Sequence, residues 1–109
     1  MQTRELYLAL AKKVELYEKL FAEFTQKLCT SGLIEEAYLV GSRAHGESIP
    51  SSDFDVVVIV SGDADPLDAA VKIRLLKKES IPLDIVVLKR SDLEDPLYRE
   101  MLRNAKRIC

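Results

Sequence analysis

The sequence predicts an α/β (α+β) fold, a three-stranded mixed sheet packed with helices in the order helix, strand, strand, helix, strand, helix. Three observations carry this prediction. Leu6, Leu10, Val14, Tyr17, Phe21, Phe24 and Leu28 recur at spacings of three and four, which places them on one helix face. Phe54 to Val60 is a run of apolar, mostly β-branched residues, the pattern of a central strand buried on both faces. Asp65-Pro66 reads as a helix cap followed by proline at the first helical position, and Pro82 as the start of a strand, where its missing N–H is tolerated.

The elements follow in order. The first helix spans residues 3 to about 30, with Thr3 able to cap its start and Gly32 able to close its end in a left-handed conformation. Lys12, Glu15, Lys19, Glu23 and Lys27 form its solvated face, and Leu8, Leu16 and Leu20 widen the apolar stripe. That helix is long for a chain of 109 residues, so part of the stripe is expected to meet a partner. A first strand over Glu36 to Val40 leads into Gly41-Ser42, a short helical turn over 43–48 and a loop over 49–52. The second strand is Phe54 to Val60. The second helix runs from the Asp65 cap to about Lys78 with Leu67, Ala70, Val71, Arg74 and Leu75 along it. A third strand follows Pro82, and Ser91 or Asp92 precedes a final helix through about Ala105, with Pro96 in or near its first turn.

Composition narrows the function classes. A chain of 109 residues supports a single domain with one core. A net charge of −2 argues against a protein that grips polyanions unaided, so direct polynucleotide binding is not expected. Cys29 and Cys109 are the only cysteines, and their placement suggests neither a disulfide framework nor zinc spacing. The longest apolar run, Val56 to Val60, is far below membrane-spanning length, and the charged N-terminus does not resemble a secretory signal. A cytoplasmic location is the expectation.

The chemistry concentrates in Gly41-Ser42-Arg43-Ala44-His45-Gly46 and Asp53-Phe54-Asp55. Alternate strand residues share a face, so Asp53 and Asp55 aim at one point. Two like charges held together are costly unless a cation lies between them. Gly41-Ser42 fits a strand-to-helix turn with a serine cap, and the same geometry lets backbone N–H groups approach a phosphate closely. A phosphate cradle beside paired carboxylates suggests a nucleoside triphosphate with Mg²⁺. There is no Walker ending, since no Gly-Lys-Ser/Thr follows. Asp55 adjoins five consecutive apolar residues, where an unpartnered carboxylate would cost several kcal/mol.

Asp63-Ala64-Asp65 provides a control: it repeats the Asp-x-Asp spacing in a polar loop with no phosphate turn ahead, and reads as loop plus helix cap. Asp84 lies among Leu83, Ile85, Val86 and Val87, either paired with Arg74 or Lys77 or facing the Asp53/Asp55 cluster. Arg43 could contact a triphosphate or serve as a surface arginine. His45, the only histidine, reads as a surface residue, while Tyr38 and Phe54 read as core packing.

Gly41-Ser42, ten intervening residues, Asp53-Phe54-Asp55 and a later-strand Asp84 together resemble the signature of the DNA polymerase β-like nucleotidyltransferase superfamily. The closest resemblance is to its smallest prokaryotic members, the minimal nucleotidyltransferases. It spans about Glu36 to Leu88, and His45 departs from it, standing where relatives often carry Arg or Lys. The resemblance implies Asp53, Asp55 and Asp84 as catalytic and metal ligands, and Gly41, Ser42 and Arg43 as nucleotide contacts. It also implies two Mg²⁺ ions per site, ATP as substrate, and transfer of AMP to a hydroxyl with release of pyrophosphate. Minimal nucleotidyltransferases are often encoded beside a HEPN-domain toxin, and members act as antitoxins, some by adenylylating a toxin tyrosine. About twenty residues follow the third strand, so the acceptor surface is expected from another chain. Two alternatives belong to other classes: a non-catalytic module that neutralises a partner by contact, and a homodimeric small-molecule nucleotidyltransferase.

Overall fold

A computed structural model of the chain describes residues 3–41, 54–77 and 81–109. Helix α1 (Thr3–Thr30) is followed by strands β1 (Glu36–Val40) and β2 (Phe54–Val60), helix α2 (Pro66–Leu75) and strand β3 (Leu83–Lys89). A 3₁₀ turn (Arg90–Glu94), helix α3 (Pro96–Leu102) and a two-residue strand β4 (Lys106–Arg107) complete the order. The sheet runs β3-β2-β1-β4, with β2 and β3 parallel and the other pairs antiparallel. It is the expected mixed α+β architecture with one more strand than the three the sequence predicts.

Each element ends for a local reason. At the end of α1, the Ser31 hydroxyl donates to the Leu28 carbonyl at 2.7 Å, and Gly32 takes a φ of +77°, the left-handed close expected of it. Asp65 caps α2, its carboxylate accepting from the Leu67 N–H at 3.0 Å, with Pro66 in the first turn. This also settles Asp63-Ala64-Asp65 as loop and cap. Asp95-Pro96 repeats the device for α3, Asp95 accepting from the Leu97 N–H at 2.9 Å. The final helix is therefore capped by Asp95 rather than by Ser91 or Asp92, because the 3₁₀ turn occupies the preceding residues. It also stops at Leu102, short of Ala105, so that the chain can return to the edge of β1 as β4.

A parallel pair needs a crossover, and α2 supplies it between β2 and β3. The sheet is covered on both faces. Val56, Val58 and Val60 point toward α1 and α2, where Phe24, Leu28, Ala69 and Ile73 are buried against them. Val57 and Ile59 point the other way, with Leu88, Tyr98 and Leu102. The alternation explains why β2 reads as a continuous apolar run: Val56 to Val60 are each at most 1% exposed. Phe54 joins the α1 side, its ring stacked on Phe21 with centroids 4.2 Å apart. Of α2, Ala69 and Ile73 face inward, while Leu67, Val71 and Leu75 stay exposed.

Cys29 and Cys109 form a disulfide with their Cα atoms 5.9 Å apart, joining the end of α1 to the last residue across 80 positions. This corrects the expectation of unlinked cysteines. The pair is brought together because Ile108 N–H donates to the Ala37 carbonyl at 2.8 Å, holding the C-terminal segment on β1. No helix among the described residues is long and apolar enough to cross a membrane.

Candidate functional site

Three backbone positions lie in one row across the sheet. Val40 of β1 pairs with Asp55 of β2, and Asp55 pairs with Asp84 of β3. Adjacent strands are separated by about 4.8 Å, and paired residues point to the same side, so the two carboxylates are neighbours. Their face is that of Val57, Ile59 and Leu88, opposite the side covered by α1 and α2. Among the described residues, the 3₁₀ turn and α3 cover the far half of this face, and none of them packs over the acidic end. Asp84 is exposed, and Val86, two residues along the same face, is 38% exposed.

Gly41 follows Val40 and bends over the row with a φ of +80°. A Cβ atom there would lie 2.7 Å from Oδ2 of Asp55. Glycine is required twice over: for the left-handed backbone, and for close approach of the turn to a carboxylate. The structure thus brings the Gly41 turn, Asp55 and Asp84 together. Ser42, Arg43, His45 and Asp53 lie outside the described residues, as do the predicted turn over 43–48 and loop over 49–52.

The pairing of Asp84 with Arg74 or Lys77 does not form: among the described residues Asp84 makes no ion pair. Lys77 instead donates its ammonium to the Ile81 carbonyl at 3.0 Å. Arg74 and Lys77 do line a cleft of about 310 Å³ with Leu83, Asp84 and Ile85. That cleft and the exposed Val86 were not singled out by sequence reasoning. The available signal was the basic pair three apart at the end of α2.

The opposite end of β1 carries an ion cluster. Glu36 accepts from the Tyr38 hydroxyl at 2.7 Å and from Arg90 at 2.6 Å, with Arg107 at 3.6 Å. The Tyr38 hydrogen bond chiefly, then that from Arg90 and the charges of Arg90 and Arg107, hold its carboxyl below the usual glutamate value, although burial pushes the other way. This ties β1 to the exit of β3 and to β4, away from the acidic row.

Whether the acidic row suits a divalent cation can be tested on its own geometry. Asp55 and Asp84 are side by side, Asp84 makes no ion pair among the described residues, and the absence of a side chain at Gly41 lets the turn approach the Asp55 carboxylate. Such a like-charge pair fits a hard cation with oxygen ligands. Two described carboxylates do not make a complete set, and no group of three or more candidate ligands occurs among the described residues.

A small mixed sheet with helices on both faces, a glycine turn and paired acids defines a class, the nucleotide-transferring α+β domains. The family model of the nucleotidyltransferase domain matches residues 21–109, and the chain belongs to that family. The family generally uses a nucleoside triphosphate and divalent metal. Among solved structures, a Sulfolobus solfataricus protein classed by inference as a nucleotidyltransferase shares the fold, with a TM-score of 0.63 and 20% identity. The similarity covers 90% of this chain and 84% of that one. No curated protein matches the chain.

Proposed function

We propose that the protein transfers AMP from ATP to a hydroxyl on a partner chain, a tyrosine of a HEPN-domain toxin, and so acts as an antitoxin. The observation that carries the transfer reading is the Val40–Asp55–Asp84 row with Gly41 over it. The partner assignment rests on the resemblance to minimal nucleotidyltransferases and on the small size of the domain. The cytoplasm is the setting in which ATP and such a partner meet.

Asp53, Asp55 and Asp84 are the residues that would hold Mg²⁺. When bound, the metal neutralises charge on the α-phosphate and aligns the attacking and leaving oxygens. Gly41 and Ser42 bind the β- and γ-phosphates through backbone N–H groups and the serine hydroxyl, and Arg43 adds a charge-assisted contact. Asp84, on the open edge strand, orients the acceptor hydroxyl and accepts its proton. The hydroxyl oxygen forms a bond to the α-phosphorus, the bond to the bridging oxygen breaks, and pyrophosphate leaves. Positioning and electrostatics supply most of the rate.

A second reading, neutralisation by contact alone, is favoured by one observation. The family match begins at residue 21, inside α1 (Thr3–Thr30), so most of this long amphipathic helix lies outside the matched span. Intact-mass spectrometry of the partner after incubation with Mg²⁺ and ATP separates the two. An added AMP that disappears with Asp84→Asn supports transfer; an unmodified but inhibited partner supports contact.

A further inference from the structure

The cleft lined by Arg74, Lys77, Leu83, Asp84 and Ile85 meets the acidic row at Asp84 and carries the two basic residues at the end of α2. It opens at the outer edge of β3, which ends the sheet and has no strand beyond it among the described residues. Arg74, in the last turn of α2, is exposed and makes no ion pair among the described residues. Lys77 is partly buried and fixed by its bond to the Ile81 carbonyl. Two cations and the single carboxylate of Asp84 therefore line a cavity of about 310 Å³, a net positive lining on a chain whose net charge is −2. Such a local concentration favours an anionic visitor.

The two sides of β3 set the shape of that visitor. Leu83, Ile85 and Val87 face α1 and α2, whereas Leu88, and by alternation Asp84 and Val86, face the acidic row. The cations belong to the α2 side, and the Asp84 carboxylate to the other. A ligand using both must cross the strand edge. An extended peptide does so naturally, because successive residues of a strand point to opposite faces.

We propose that the open edge of β3 binds an extended acidic segment of the acceptor protein, with a carboxylate held by Arg74 and Lys77 and the adjacent residue's hydroxyl directed to Asp84. This deepens the transfer reading and rests on it for the role of Asp84. It carries a spacing rule: the acidic residue must be an odd number of positions from the hydroxyl residue, most simply its immediate neighbour. An acid two residues away falls on the wrong face.

The test is fluorescence anisotropy with labelled peptides and no nucleotide. One peptide carries Glu on both sides of a central Tyr, a second carries the same Glu residues two positions away, and a third has Lys in place of Glu. The neighbouring-Glu peptide should bind about tenfold tighter than either control, and Arg74→Glu with Lys77→Glu should reduce that preference to about twofold or less. The thermal gain from Mg²⁺ and ATP should be unchanged in this variant, which keeps the test separate from that of the triphosphate site. Absence of binding, equal binding of the three peptides, or a preference that survives the charge reversal would overturn the proposal. Tighter binding of a single-stranded oligonucleotide through the same two residues would overturn the peptide assignment.

Discussion

At Gly41 two constraints meet, a φ of +80° and an Asp55 oxygen 2.7 Å from where a Cβ would lie. Alanine in the left-handed region costs about 1–2 kcal/mol before any clash is counted. Gly41→Ala should therefore lower the melting temperature by several degrees and abolish stabilisation by Mg²⁺ and ATP; an unchanged melt would contradict the close approach. Glu36 tests a different part of the sheet. Its carboxyl is held below the ordinary value of 4.5, so its stabilising effect is present above that pH and is lost as pH falls through the lower folded value. The stability difference between wild type and Glu36→Gln should shrink below pH 4.5 in pH-dependent melts. A constant difference would mean that Glu36 acts by packing alone. Strand alternation made the shared face of Asp53 and Asp55 legible in the sequence, whereas Asp84 could be read as facing them or as paired with Arg74 or Lys77. The pairing of Asp55 with Asp84 depends on strand order and register, which no local pattern specifies.

Among the elements, those with strong punctuation were readable in advance: α1 with its glycine close, β2 with its apolar run, and α2 with Asp65-Pro66. The inward face of α2 was not. Leu67, Val71 and Leu75 compete at the same spacing as Ala69 and Ile73, and only docking onto the sheet decides between the stripes. β4 was also hidden, since Lys106–Arg107 has no apolar alternation and exists because β1 offers an edge. The disulfide follows from that return and was illegible for the same reason. Closing a loop of 80 residues stabilises by up to about 4.5 kcal/mol in the chain-entropy account. Reductant should lower the melting temperature of the wild type and leave Cys29→Ser/Cys109→Ser unaffected. Equal melts with and without reductant would show that the bond adds nothing. Such bonds persist in oxidising compartments and in the proteins of hyperthermophiles, and elsewhere the pair would be reduced.

On the scale of the whole molecule, the sheet divides labour between its faces and ends. Among the described residues, one face is covered by α1 and α2 and the other only over its far half by the 3₁₀ turn and α3. The remaining quarter carries Asp55, Asp84 and the Gly41 turn, beside the edge strand β3. Family membership establishes nucleotidyl transfer as the general activity, and the proposal assigns its acid chemistry to this quarter. The most direct measurement is a thermal melt in EDTA, in Mg²⁺, and in Mg²⁺ with each nucleoside triphosphate, for wild type, Asp55→Asn and Asp84→Asn. The account predicts that ATP with Mg²⁺ at a hundredfold excess over Kd stabilises the wild type by about 2.7 kcal/mol, roughly 10 °C or more. It also predicts that both variants lose this gain, and that metal-free Asp84→Asn melts no lower than the wild type, since a repelling charge is gone. A gain that persists in Asp55→Asn, or an Asp84→Asn protein that melts lower without metal, would contradict it.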